Sequence, residues 1–268
     1  MSDFLKDMAT SSAARAAQAA PFKSSDFDRP IAPLALGSFD VIAEIKERSP
    51  AEGDLSRGHG DRMEQARHYV RGGAAAISVL TEPTRFAGDL RHLEDVVAAV
   101  SCTPVMRKDF LVDPVQVLEA RKAGASGVLL IATMLRDGLL RTMLDCAYEH
   151  GMFVLLESFD EDDLARCRKL LDNSADGDRA AAGRLLFGVN TRNLRTLEVD
   201  GDRLRRLAPA LPAGRRVAES GLRTAEDAAA AAGWGYSMAL VGSALMRSDD
   251  PAELVRAMRL AGAGAIAA

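Results

Sequence analysis

Residues 41–53 read VIAEIKERSPAEG, an apolar run that sets Glu44 and Lys46 two positions apart and then breaks at Ser49, Pro50 and Gly53. In a strand that spacing puts both side chains on one face. A buried strand seldom points two opposite charges the same way unless they are paired or used. Other short apolar runs end on polar residues in the same manner. PVMR leads to Lys108, Asp109 and Phe110, and LLES delivers Glu157 and Ser158. GVNTRN supplies Asn190, Arg192 and Asn193, AESG supplies Glu219, Ser220 and Gly221, and VGSA supplies Gly242 and Ser243. A lysine in a crowded, partly desolvated mouth can serve as a general acid, and a glutamate of raised pKa as a base. Any one of these charges alone reads best as a salt bridge; their recurrence at strand ends is what suggests chemistry. The Gly-Ser pairs 220–221 and 242–243 place backbone N–H groups where barrel enzymes hold phosphate. Together they point to a phosphorylated ligand.

Elements must exist to bring these residues together. Strand patterns fall at 41–46, 75–81, 104–109, 127–132, 153–158, 185–190, 215–220 and 238–242, with helical patterns at 61–71, 89–100, 113–123, 136–149, 160–171, 200–208, 223–232 and 251–260. Strict alternation implies a parallel sheet with helices outside, and eight strands close a (β/α)8 TIM barrel of class α/β. The alternative is an open doubly wound sheet, with five to seven strands as a rule and a glycine-rich first turn. The first turn here, SPAEG, lacks that pattern. Residues 41–268 are expected to form one barrel domain. Residues 1–40 read as an irregular N-terminal extension packed on or near the barrel mouth, with Phe4, Leu5 and Met8 on one face of a short helix. Residues 172–183, polar and low in complexity, read as a surface loop away from the chemistry.

Composition narrows the function. A formal net charge of −4 and 5% aromatic residues argue against nucleic acid. Cys102, Cys146 and Cys167 are widely spaced, which suits a reducing compartment. With no signal-like segment and no run long enough to span a bilayer, the expectation is a cytoplasmic protein without membrane contact. His59, His68, His92 and His150 lack metal-ligand spacing, and no nicotinamide or metal motif rises above chance, so neither metal nor nicotinamide cofactor is expected. No nucleophile elbow is visible.

Seven stretches, in order, resemble one family: VIAEIKERSP (41–50), AAISVLTEPTRFAG (75–88), PVMRKDFLVDPVQVLEARKAGASGVLLI (104–131), LLES (155–158), GVNTRNLRTLEVD (188–200), VAESGLRT (217–224) and ALVGSALMR (239–247). The family is indole-3-glycerol phosphate synthase of tryptophan biosynthesis. The resemblance implies a carboxy-lyase without cofactor. It would close the ring of 1-(o-carboxyphenylamino)-1-deoxyribulose 5-phosphate, then release carbon dioxide and water. It further implies that Lys108 is the general acid and Glu157 the general base. Lys46 would assist the dehydration with Glu44 beside it, and Asn190 and Glu219 would position the substrate and the lysines. Arg192 would meet the anthranilate carboxylate, and Phe110 and Leu129 would wall the aromatic ring. Ser49, Ser220, Gly221, Gly242 and Ser243 would contribute to phosphate binding. Other enzymes of the pathway are possible partners.

The chain departs from the family in its first loop. SPAEG stands where SPSKG or a close variant is usual, so Ala51 removes a hydroxyl and Glu52 reverses a charge beside the phosphate end. The 172–183 insert is also longer than expected. These departures leave room for a specialised paralogue that makes an indole precursor for another pathway. Two further alternatives are a phosphoribosylanthranilate isomerase-like barrel and a non-catalytic binder of a phosphorylated metabolite. The isomerase would want a cysteine at the end of strand one and an aspartate at the end of strand six. Glu44 and Asn190 occupy those places.

Overall fold

Eight short apolar segments pair in parallel and close on themselves in the computed structural model, which describes residues 3–55, 61–192 and 198–267. The strands are β1 (Asp40–Ile45), β2 (Ala76–Leu80), β3 (Val105–Lys108), β4 (Gly127–Ile131), β5 (Phe153–Ser158), β6 (Leu185–Asn190), β7 (Arg215–Glu219) and β8 (Met238–Val241). Each pairs with its neighbours in sequence, and β1 pairs with β8 to complete the ring. This is the (β/α)8 TIM barrel expected from the alternation.

Side-chain alternation divides the core in two. Val41, Ala43 and Ile45 of β1 join the layer between strands and helices, whereas Ile42 joins the barrel interior. The same split runs through β4, where Val128 and Leu130 face the helices and Leu129 and Ile131 the interior. In β5, Val154 and Leu156 face out while Phe153 and Leu155 face in. Period-2 geometry therefore fixes which residue each strand presents inward at its last step. For β1 and β3 to β7 these residues are Glu44, Lys108, Ile131, Glu157, Asn190 and Glu219. Most of these strands thus bury aliphatic side chains along their length and end inward on a polar side chain, whereas β4 ends on apolar Ile131.

The outer helices begin where the sequence places capping side chains. Asp61, Asp89, Asp113, Asp160 and Thr224 each accept a backbone N–H in the first turn of the helix that follows. Such a cap contributes about 1 kcal/mol. The last helix, Pro251–Ala267, runs past the expected end at 260.

The short helix read at Phe4, Leu5 and Met8 is present and runs Asp3–Ala16. Its Leu5 and Met8 are buried in the interior cluster, each worth about 1.5–3 kcal/mol. Its Arg15 Nη2 donates to Asp109 Oδ1 at 2.6 Å, one residue beyond β3. One expectation needs correction: the segment 172–183 is not simply a loop, since Ser174–Ala181 is helical with Asn173 as its cap. Its buried Asp176 pairs with Arg141 at 2.5 Å and Arg179 at 3.2 Å, ties that polar composition did not disclose.

Candidate active site

Lys108 ends β3, and its amine reaches the barrel axis. Nζ lies 3.4 Å from Glu44 Oε2, 3.5 Å from Glu219 Oε2 and 4.0 Å from Glu157 Oε2. These groups come from β1, β3, β5 and β7, so only the closed barrel brings them together. The neighbours of Lys108 in sequence hold the strand end in place from outside. Arg107 binds Asp109 at 3.1 Å, Glu119 at 3.1 Å and Thr81 Oγ1 at 3.0 Å. Asp109 is in turn bound by Thr81 at 2.8 Å and by the Phe110 N–H at 2.8 Å. Lys46, the first residue past β1, pairs with Glu44 Oε1 at 3.0 Å.

Burial and charge act in opposite directions on this cluster. Burial works to lower the Lys108 ammonium pKa, but Glu44, Glu219 and Glu157 outweigh it and hold it above the ordinary lysine range. Burial likewise works to raise the Glu44 carboxyl, while Lys46 and Lys108 hold it below its usual value. For Glu157 burial prevails over Lys108 and the Asn190 hydrogen bond, and its pKa rises. Glu219, fully buried and facing the Glu157 charge, is pushed well above the carboxylate range. Its Oε1 is buried without a hydrogen-bond partner among the described residues.

Asn190 bridges this cluster to the next loop. Its Oδ1 accepts the Arg192 N–H at 2.9 Å, leaving its NH₂ for Glu157. Two glycines make the close packing possible. A Cβ on Gly188 of β6 would collide with Glu219 Oε1, and one on Gly242 would collide with Glu44 Oε1.

Above the cluster lies a cavity of about 340 Å³. Of the residues singled out from sequence, Glu44, Lys46, Ser49, Lys108, Phe110, Leu129, Glu157, Asn190, Arg192, Ser220, Gly221, Gly242 and Ser243 line it. Glu219 lies beneath them, fully buried. Ser158 points away and contacts Cys167 at 3.4 Å. Asp109 also lines the cavity, though its carboxylate is spent on the outer network. His68 and His92 lie 3.9 Å from Glu64 and Glu47, and His150 packs on Phe27. Asn193 and His59 fall outside the described residues. Among the described residues no group of three His, Cys, Asp or Glu side chains could hold a metal ion.

The cavity is chemically divided. One wall is apolar, made of Leu129, Ile131 and a group of rings: Phe4 lies 5.8 Å from Phe110 and Phe86 lies 6.1 Å from it. Phe86 is placed by buried Glu82, whose carboxylate accepts the N–H groups of Thr84, Arg85 and Phe86. The opposite edge gathers Arg192, Arg247, Ser220, Gly221 and Ser243. Ser220 and Gly221 both have left-handed backbones, φ 68° and 83°, which turn the chain sharply after β7.

Phe86, Ile131 and Arg247 were not singled out from sequence, and Phe4 was singled out only as part of a helix face. Ile131 was recoverable, being the last inward residue of its strand. Phe4 reaches the site only through the packing of its helix, which no local pattern encodes.

A family model described as indole-3-glycerol phosphate synthase matches residues 6–258. An indole-3-glycerol phosphate synthase of Nocardioides sp. is 46% identical over 239 residues, covering 87% of this chain and 86% of the relative. One from Mycobacteroides abscessus is 43% identical over 258 residues, covering 96% and 87%. Among solved structures, 3-hexulose-6-phosphate synthase from Salmonella typhimurium superposes with a TM-score of 0.63 at 17% identity, covering 83% of this chain and 98% of that one. At that identity the likeness speaks for the barrel alone. Family match and relatives agree across nearly the full length, and the chain belongs to the indole-3-glycerol phosphate synthase family.

Proposed function

We propose that the chain converts 1-(o-carboxyphenylamino)-1-deoxyribulose 5-phosphate to indole-3-glycerol phosphate. The observation that carries this reading is one ammonium, Lys108, held among three buried carboxylates under a cavity with an apolar wall and a cationic edge. The aromatic ring packs against Phe110 and Leu129. The phosphate is held by Ser220, Gly221, Gly242 and Ser243 with help from Ser49, and the ring carboxylate by Arg192.

The ring carbon bearing the carboxylate attacks the ribulose carbonyl, and Lys108 protonates the carbonyl oxygen as the bond forms. The carboxylate then leaves as neutral carbon dioxide, and its bonding pair restores the aromatic ring. Next to the apolar wall, loss of that charge is favoured. Dehydration follows: Glu157, as base, takes a proton from the methylene beside the nitrogen, and the new hydroxyl departs as water with a proton from Lys46. Glu44 fixes Lys46 and Lys108 through its two oxygens, while Asn190 and Glu219 orient Glu157 and Lys108. The overall reaction is that of a carbon–carbon lyase and needs no redox partner.

The isomerase-like reading is not favoured, because Glu44 and Asn190 stand where it needs a cysteine and an aspartate. A simple metabolite binder would have no use for an acid–base set. Incubating the full chain with the carboxyphenylamino substrate and following indole fluorescence tests the reading. A rise that depends on enzyme supports it, and none at saturating substrate refutes it.

A further inference from the structure

The first loop places an acid on the cationic edge of the cavity. Glu52 Oε1 accepts from Ser243 Oγ at 3.0 Å and pairs with Arg192 Nη2 at 3.2 Å. Its Oε2 lies 3.0 Å from Arg247 Nη1. Two carboxylate oxygens thus span three donors from the β6 loop and the segment after β8, much as a bound anion would. Serine and arginine are the groups assigned above to the phosphate and carboxylate of the substrate.

The local backbone lets this acid leave. Residues 48–49 and 53–54 form a two-rung antiparallel ladder, with Arg48 opposite Asp54 and Ser49 opposite Gly53. Glu52 sits in its turn, where its N–H donates to Ser49 O at 3.2 Å, and Gly53 takes up a φ of 74°. A side chain at a turn tip can swing toward solvent without breaking a barrel strand. The Glu52 side chain is 21% exposed, so a route outward exists.

We propose that Glu52 is an internal competitor for the anion-binding edge: it holds Arg192, Ser243 and Arg247 in the free protein, and an incoming phosphate must displace it. The inference rests on the reading that a phosphorylated ligand enters at this edge. Binding is then an exchange of one anion for another rather than simple addition. The apparent dissociation constant is the intrinsic one divided by the fraction of molecules in which Glu52 has swung away. That factor is common to every ligand that needs the edge, so inorganic phosphate and the substrate feel it equally. The chemical step at Lys108 and Glu157 does not.

The test uses the full chain with inorganic phosphate as probe, titrated calorimetrically against the parent, Glu52→Ala and Glu52→Gln. Partly exposed ion pairs and charged hydrogen bonds of this kind imply roughly three- to tenfold tighter phosphate binding in Glu52→Ala. Glu52→Gln, which keeps the shape and loses the charge, shifts the same way by a smaller factor. The KM for the carboxyphenylamino substrate falls by the same factor as the phosphate constant, with kcat unchanged. Equal or weaker phosphate binding in Glu52→Ala, or none measurable in either protein, overturns the proposal. If phosphate binding tightens but no variant makes indole product, the competitor stands and the proposed reaction fails. If product forms and phosphate affinity does not move, the reaction stands and the competitor fails.

Discussion

Glu219 offers one oxygen to Lys108 at 3.5 Å and buries the other without a donor. Burial, with the Glu157 charge facing it, pushes the pKa of this carboxyl well above the usual glutamate value. The shift has a sign that stability measurements can read. A folded-state pKa above the unfolded value, about 4.3 for glutamate, contributes stability below that pH and loses it as pH rises. Replacement by glutamine removes the titration. We expect the stability of Glu219→Gln relative to the parent to improve steadily from about pH 4.3 upward. Urea unfolding across a pH series checks this, and a gap that does not change with pH would show that Glu219 is ionised in the fold.

Glu157 must be ionised to act as a base, and burial raises its pKa. The acid limb of kcat/KM is therefore expected above the ordinary glutamate range. Glu157→Gln is expected to lower kcat by about 10² or more, the common scale for a general base. Steady-state fluorescence kinetics provide the measurement, and an unchanged kcat removes Glu157 from that role.

Gly188 makes room for Glu219. A methyl group there would meet Glu219 Oε1 and, at 3.1 Å, Leu155 Cδ1. Gly188→Ala is expected to destabilise the fold by about 1–3 kcal/mol through overpacking. Thermal unfolding together with kcat tests this: Tm falls, and kcat falls with it because Glu219 is pushed off Lys108. A variant with parental Tm and turnover would show that the strand end has slack.

The N-terminal helix is expected to matter to substrate affinity through Phe4, whose ring meets Phe110 edge-on. Phe4→Ala is expected to raise KM several-fold, since such ring pairs contribute about 0.5–1.5 kcal/mol beyond burial. The expected effect on kcat is small. A KM within experimental error of the parent would exclude the ring from the substrate wall.

The barrel and most of the site were legible because strand geometry is so regular. Once eight apolar runs are aligned, the last inward residue of each is determined, and Glu44, Lys108, Glu157, Asn190 and Glu219 follow without knowledge of contacts. Lys46 was placed inside its strand but falls one residue beyond it, which frees its side chain to bend back onto Glu44. Less legible were features that depend on long-range packing. Phe4 lines the cavity only because Leu5 and Met8 anchor its helix on the barrel interior. The 174–181 helix is held by Arg141, more than thirty residues earlier. Glu52 was visible as a charge reversal, yet its three donors come from two other loops, and only the folded chain brings them within 3.2 Å.

The central claim is that Lys108 is the acid for ring closure, and a single variant tests it most directly. Lys108→Ala should retain binding of inorganic phosphate at the far edge of the cavity while a single turnover yields no indole fluorescence, a loss of about 10²–10⁴ in rate. Near-normal turnover in Lys108→Ala with phosphate binding intact would contradict the account.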